Sequence, residues 1–483
     1  MSGTTHAQHA DSRPPAGPHG TPPTARPEHP EHPEHPEHPE HPEHPEHAYQ
    51  GFYLTVTVKF LLSTLFAAAW TGAAVSISQP WIADLSRSVG EPAAWVMVAL
   101  VAYLPGFVVA LMTMSLLLDR QPPLRISNPV SPVTIIVAAR NEQAGIADTI
   151  RCIGESDYAG EVTVILADNG SEDGTAAVAA RTAAAAGMTL QVIPEPSPGK
   201  SHALNTALET VTTPWVITVD ADTLLHREAL RRLVSRLESA PADTVAVAGT
   251  VLVRNSRVNL LTRMQEWDYY LGIAAVKRMQ GLYQATLVAQ GAFSVYRTDN
   301  VKAIGGWPDA IGEDIVVTWK LLQQGGRVLF EPTAVAFTDA PATVPHFLRQ
   351  RARWARGMFE GLHAVPPWRQ KRRLAGLISG IDYVIPLLDV GYALIWLPGL
   401  ILFLFGVPAI VSAWALTVLP VTLLIYGGLR RHQRRSVFGP LDLQVRRNAV
   451  GYLAFLLGYQ VICSFASLAG YTQYLAGSAR RWK

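Results

Sequence analysis

Long uncharged, mostly apolar stretches bracket the central half of this chain, and they decide what it can fold into. Uncharged sequence runs from Phe60 to Ala83, from Pro92 to Leu118, from Val390 to Leu429 and from Ala449 to Ser478. A helix crosses the hydrocarbon of a bilayer with about 20 apolar residues, so the first two stretches and the last each provide one span. The third is broken near Gly406-Val407-Pro408 and is long enough for two spans joined by a tight turn. Five transmembrane helices are expected, with Pro105 kinking the second. Composition agrees: 16% of the 483 residues are charged and 49% hydrophobic, against about 25% charged in soluble domains. A net charge of +2 gives no electrostatic case for a nucleic-acid partner. Cys152 and Cys463 stand in unrelated contexts and indicate neither a disulfide framework nor a zinc site.

Four regions follow. Residues 1–48 are Pro- and His-rich, with Pro-Glu-His repeated from Pro27 to His47. So few apolar side chains cannot offset chain entropy, and a disordered tail is expected. Residues 49–120 carry two spans, 130–365 form a non-membrane domain, and 366–483 hold an interfacial helix and three spans. The interfacial helix is expected at RQKRRLAGLI, with Arg369, Lys371, Arg372 and Arg373 at the lipid headgroups. Arg430, Arg431, Arg434, Arg435, Arg446 and Arg447 crowd one loop between the last two spans. The positive-inside rule assigns that loop to the cytoplasm, and parity places the 130–365 domain on the same side.

Within 130–365 the apolar runs VTIIVAA, VTVILAD, LQVIP and WVITVDAD alternate with helical stretches. Buried strands separated by helices predict a mainly parallel sheet covered on both faces. Ligands of such sheets bind beyond the carboxyl ends of the strands. Arg140 and Glu142, then Asp168, then Asp220 and Asp222 all fall at those ends. Asp220-Ala221-Asp222 supplies hard oxygen donors suited to Mg²⁺ or Mn²⁺. Lys200, in PGKSHALN, stands where a helix begins, a place suited to a diphosphate. Glu313-Asp314 opens another helix. Gln350, Arg353 and Trp354 are spaced i, i+3, i+4 and share a helix face. Read singly, each has a plainer explanation: a helix cap for either acidic pair, a solvated lysine, a basic surface helix.

Taken in order from Val133 to Gly361, Asp168, Asp220-Ala221-Asp222, Glu313-Asp314 and QRARW resemble the D, DxD, ED, QxxRW series of membrane-integrated, processive family 2 glycosyltransferases. The resemblance implies an α/β GT-A-type nucleotide-sugar-binding domain beside an α-helical membrane region of about five spans. It assigns Arg140, Glu142 and Asp168 to a uridine pocket and sets Lys200 and Asp220 near the nucleotide. It makes Asp220 and Asp222 ligands of Mg²⁺ or Mn²⁺, Asp314 the general base, and Gln350, Arg353 and Trp354 the diphosphate and acceptor contacts. Gln290-Gly291-Ala292 matches an acceptor-proximal segment, while Lys277 and Arg278 match a basic pair of open role. Arg349, Arg351 and Arg356 are expected at lipid headgroups or in solvent, and His202, His226, His346 and His363 are read as structural. Asp382 and Asp389 are candidates to line a polysaccharide path or to be solvated at the interface.

EWDYYLGIAAVKRMQ, GEDIVVTWKLLQQG, APATV and QRARWARGMFEGL look most like bacterial poly-β-1,6-N-acetylglucosamine synthases. The implied partners are a UDP-sugar donor, a growing polysaccharide acceptor and the bilayer of the bacterial cytoplasmic membrane, with room for a small membrane accessory subunit. Two other functions compete: a non-processive transferase acting on a lipid acceptor, and a transporter or inactive membrane scaffold.

Overall fold

The computed structural model describes residues 54–477 other than 121, 409 and 412–417. The expected tail over 1–48 lies outside the described residues, as do Arg480, Arg481, Lys483 and much of the turn within the third apolar stretch. The uninterrupted apolar run VTIIVAA becomes strand β1 (Val133–Ala139), buried at all seven positions. Its side chains alternate between two cores. Ile136 and Ala138 pack on one face of the sheet, and Ile135, Val137 and Ala139 on the other. Strands β2 (Val162–Asp168), β3 (Leu190–Pro194), β4 (Trp215–Asp220), β5 (Leu224–Leu225), β6 (Thr244–Val253), β7 (Phe293–Arg297) and β8 (Arg327–Thr338) complete an eight-stranded sheet. Its order is β3-β2-β1-β4-β7-β6-β8-β5.

The first half is parallel, as expected. Beyond β4 the sheet is mixed: β7 runs antiparallel to β4 and β6, β8 parallel to β6, and β5 antiparallel to β8. This reversal directs the chain. Because β4, β6 and β8 point the same way while β7 points back, the excursion from β6 to β7 begins and ends at the edge where β1, β2 and β4 finish. The chain leaving β8 emerges there too. It enters the helix Val344–Ala364, which carries QRARW.

Among the described residues four helices are long and apolar enough to cross a membrane: Val56–Ile77, Glu91–Leu117, Arg373–Leu404 and Ala449–Leu475. Their outer faces leave Leu65, Ile77, Leu117 and Leu404 exposed, a surface that water would not tolerate at this extent. The remaining expected span is described only over Val418–Gln433. The stretch expected at the interface contains the helix Arg373–Gly380, which runs through a 3-10 turn, Ile381–Tyr383, into the third long helix. One expectation is corrected. Lys371 and Arg372 bind protein rather than lying free for headgroups. Lys371 Nζ donates to the Gln324 carbonyl, and Arg372 reaches the Gly325 carbonyl and the Asp243 carboxylate.

The QRARW helix is held on two sides. Gly312, just before the helix Glu313–Gln323, meets Gly357 backbone to backbone: a Cβ at Gly312 would lie 2.7 Å from Gly357 Cα. On the other side Gly470 packs against Ala352, and Phe359 meets Tyr471 with ring centroids 4.6 Å apart. Gly357→Ala should force the two helices apart and cost about 1–3 kcal/mol, as overpacking does. Thermal unfolding in detergent reads this as a lowered midpoint; an unchanged midpoint would mean the backbones are not in contact.

Candidate active site

Strand register assembles the carboxyl edge. Ala139 pairs with Asp168 across β1 and β2, and Ala138 pairs with Asp220 across β1 and β4. Arg140 follows directly, so Arg140, Asp168 and Asp220 sit on adjoining strand ends. The two loops beyond β1 and β2 hold each other. Asn141, at φ 56°, donates its backbone N–H to Ser171 Oγ and accepts from Glu172 N, while Glu142 N donates to Thr175 Oγ1. Asp168 Oδ1 accepts from Ser171 N at 3.1 Å. Buried Asn169, which the sequence reading passed over, carries the next connection. Its amide donates to the Glu195 and Ser197 carbonyls and accepts from Gly199 N, fixing the loop that delivers Lys200.

Lys200 joins two of the acidic signals. Its Nζ lies 2.5 Å from Asp220 Oδ1 and 3.6 Å from Glu313 Oε1. Burial opposes the lysine charge, but Asp220 and Glu313 outweigh it and hold the amine above its usual range. Glu313 is pushed up to about 7, by burial first and with the Asp314 charge adding to it while Lys200 opposes. Gly291 makes room for this contact, since a Cβ there would lie 2.6 Å from Lys200 Nζ. The Glu313 pairing had no signal in the sequence, because its partner lies 113 positions upstream.

Asp222 is exposed just beyond the end of β4. The protein around it, and next the Asp220 charge, push its carboxyl above the usual range. Two mutually repelling carboxylates with hard oxygens suit a divalent cation. Among the described residues no cluster of three or more His, Cys, Asp or Glu stands ready to bind one. The donor set therefore fits a metal that takes its other ligands from a bound diphosphate and water, as Mg²⁺ commonly does.

Asp314 lies in the first turn of Glu313–Gln323, where its Oδ1 accepts from Ile315 N at 2.9 Å. The Gly312–Gly357 contact sets this turn beside the QRARW helix, and Glu360 Oε2 reinforces it by accepting from Ile311 N at 2.7 Å. On that helix Arg353 is exposed and forms no ion pair among the described residues, and Gln350 Oε1 is buried without a hydrogen-bond partner. Trp354 packs against Tyr269 at 6.3 Å. The Tyr269 phenol is raised chiefly by burial, and it feels the charges of Arg351, Asp268, Asp222 and Arg353.

Other expected residues are placed differently. Arg351 and Arg356 are buried rather than at lipid or in solvent; they pair with Asp268 and Glu360. Their partners come from tertiary structure, which helix periodicity cannot reveal. Arg278 is spent on Asp119 and Ser436. Asp389 is enclosed by Ser464 and Tyr471 and does not face an open path.

A sheet that gathers acids, a lysine and a basic helix at its carboxyl edge defines a nucleotide-sugar transferase fold. Residues 129–357 match the family model described as glycosyltransferase like family 2, and this segment is a family 2 glycosyltransferase domain. Over 246 residues, 51% of this chain, it is 30% identical to the poly-β-1,6-N-acetyl-D-glucosamine synthase of Staphylococcus aureus (strain COL), of which it covers 58%. The like-named Staphylococcus epidermidis protein is 30% identical over 234 residues, 48% of this chain and 56% of that one. The chain thus spans a little over half the length of these curated relatives. A mannosyltransferase from Pyrobaculum calidifontis, solved with GDP-Man and Mn²⁺, shares the fold: TM-score 0.52 and 20% identity, covering 80% of this chain and 99% of that one.

Lys277 lies behind the site, 8% exposed, donating to Gln290 Oε1. Burial pushes its amine down to about 7 from 10.5, with the Asp314 charge offsetting part of the shift. The unfolded chain therefore holds this proton more tightly, and folding gains stability as pH rises from 7 toward 10.5. Lys277→Met should flatten that rise in thermal midpoint. Parallel pH profiles for the two proteins would place the amine in contact with water.

Proposed function

We propose that this protein is an inverting, processive β-glycosyltransferase that polymerises a UDP-sugar into an extracellular polysaccharide and passes it across the membrane. The observation that carries this reading is the convergence of Lys200, Asp220 and Glu313 on one point, with the QRARW helix locked beside the acidic turn by Gly312 and Gly357. UDP-N-acetylglucosamine is the proposed donor, on the strength of the staphylococcal relatives' names.

Arg140, Glu142 and Asp168 would hold the uridine at the ends of β1 and β2. Lys200 and Arg353 would bind the diphosphate, Arg353 through its planar fork. Asp220 and Asp222 would hold Mg²⁺ or Mn²⁺, which supplies charge neutralisation for the departing UDP. Gln350, with its orphaned buried carbonyl oxygen, accepts a hydrogen bond from a bound hydroxyl or amide. The Trp354 ring floors the acceptor sugar. Asp314 takes the proton from the acceptor hydroxyl as that oxygen attacks the anomeric carbon opposite UDP, and the single displacement converts an α-linked donor to a β-linkage.

Several contacts support a transferase domain on the cytoplasmic side of the bacterial inner membrane. Tyr270 Oη donates to the Arg430 carbonyl and Gln433 donates to the Tyr270 carbonyl, so the arginine-rich loop and the domain share one face. That loop is the positive-inside element.

Asp314→Asn should lower turnover by about 10²–10⁴, the usual size of a lost general base. The assay is purified protein in lipid with UDP-N-acetylglucosamine and Mn²⁺, followed by sizing of the product. Wild-type transfer by the variant at equal protein level removes Asp314 from this role, and a single sugar added to lipid instead of polymer removes processivity. Chelation with EDTA should abolish transfer, and added Mg²⁺ or Mn²⁺ should restore it; full transfer in EDTA would exclude a metal at Asp220 and Asp222.

A further inference from the structure

Arg351 differs from every other arginine of the QRARW helix in what surrounds it. Its side chain is buried and its guanidinium faces aromatic rings on several sides. The Cζ atom lies 4.2 Å from the Trp354 ring, 5.1 Å from Phe347, 5.8 Å from Tyr459 and 5.9 Å from Tyr269. Asp268 Oδ2 stands 3.0 Å from Arg351 Nη2, and the same oxygen accepts from Tyr459 Oη at 2.9 Å. Nε and Nη2 of the arginine have no aligned hydrogen-bond partner, so the group is held by charge and ring faces. Cation–ring attraction strengthens when both groups are out of water.

These contacts join three parts of the chain. Phe347, Arg351 and Trp354 belong to the QRARW helix; Asp268 and Tyr269 to the π-helical stretch Asp268–Ile273 in the helical excursion between β6 and β7; and Tyr459 to the long helix Ala449–Leu475. Arg351 does not open onto the cleft. It lies behind the indole, with its charge on the Trp354 ring. We infer that Arg351 is a positioning residue: it fixes the tilt of Trp354 and, through Asp268 and Tyr459, ties that tilt to the last membrane helix. This rests on Trp354 being the acceptor floor proposed above. An acceptor end aligned with the membrane helices advances in register after each transfer, and a loosened ring lets the chain go early. Product length is therefore the sensitive readout.

The test uses full-length protein in lipid nanodiscs with UDP-N-acetylglucosamine and Mn²⁺, and UDP alone as the binding probe. Arg351→Gln should slow transfer by about 10²-fold, the scale of an ångström's misplacement at a reacting centre, and shorten the polymer. UDP affinity should stay within about two-fold. Arg351→Lys, which keeps the charge, should recover part of both losses. In a Trp354→Phe background Arg351→Gln should add little further loss, because two residues acting through one contact are not additive. Full additivity, or a parallel fall in UDP affinity, overturns the proposal. Removing a buried partner can prevent folding, so Tyr459→Phe repeats the comparison with only a hydroxyl lost; it should shorten the polymer with UDP affinity intact, and unchanged length overturns the tie to the membrane helix. Trp354→Ala separates the two readings. Wild-type rate and length in that variant sink the acceptor floor itself, whereas a defective Trp354→Ala with additive Arg351→Gln sinks only the positioning role.

Discussion

The backbone contact between Gly312 and Gly357 is the constraint on which the site depends. Glu313 and Asp314 come from a helix packed on the sheet, while Gln350, Arg353 and Trp354 come from a helix flanked by membrane segments. Nothing in the chain's order requires these two groups to face one cleft. A side chain at either glycine would hold the helices apart by the width of a methyl group, because its nearest neighbours are backbone atoms of the other glycine, which cannot rotate away. Glu360 accepting from Ile311 N adds an oriented hydrogen bond to the same junction. Distance and angle between the acidic turn and QRARW are thus set by main chain, whose positions are far better defined than those of long side chains.

Around this junction the protein divides its cations by use. Arg236, Arg278, Arg351 and Arg356 are buried and paired with carboxylates. Arg140, directly after β1, and Arg353, exposed on the QRARW helix, form no ion pair among the described residues. Lys200 is between these extremes: paired with Asp220 and Glu313, partly exposed, and within reach of an incoming anion. On the proposed reading a diphosphate would compete with Asp220 for this ammonium, releasing the carboxylate toward a metal. Burial pushes the Glu313 carboxyl up to about 7 and Lys200 opposes that rise, so moving the lysine away would raise it further.

The parallel half of the sheet was legible because β1, β2 and β4 are mostly apolar runs with a polar residue at or just after their ends, and β1, β2, β3 and β4 lie where VTIIVAA, VTVILAD, LQVIP and WVITVD stand. The acids at their ends were legible for the same reason. The antiparallel return at β7 was not, since VAQGAFSVYR carries no mark of direction. The burial of Arg351 was invisible too. A helix with arginines at 349, 351, 353 and 356 reads as a basic surface, and Asp268, Tyr269 and Tyr459 from elsewhere in the chain close around Arg351 together with its own helix's Phe347 and Trp354. EWDYYLG was noted for its resemblance alone; the structure gives its residues individual contacts. Trp267 donates to the Asn448 carbonyl, Glu266 accepts from Asn448, and Tyr270 stacks on Phe438. Patterns with a local cause could be read from the sequence, and patterns whose cause lies 80 to 190 residues away could not.

Those distant contacts also say how the transferase domain meets the apolar helices. A flexible tether would need no buried charge. Here Arg278 pairs with Asp119 at the end of the second long helix, and Arg351 pairs with Asp268 beside the last. Buried ion pairs add little net stability, because desolvation cancels most of the attraction, yet losing one partner is costly. Such pairs therefore select one orientation without making the assembly much tighter. Asp268 opens the π-helical stretch Asp268–Ile273, and Arg278 stands on the helix Ala274–Leu282 that continues it. The two charge pairs and the Trp267–Asn448 hydrogen bond fasten the domain beside two of the long helices. That is the arrangement expected of a domain whose cleft must stay in line with a path through the helices beside it.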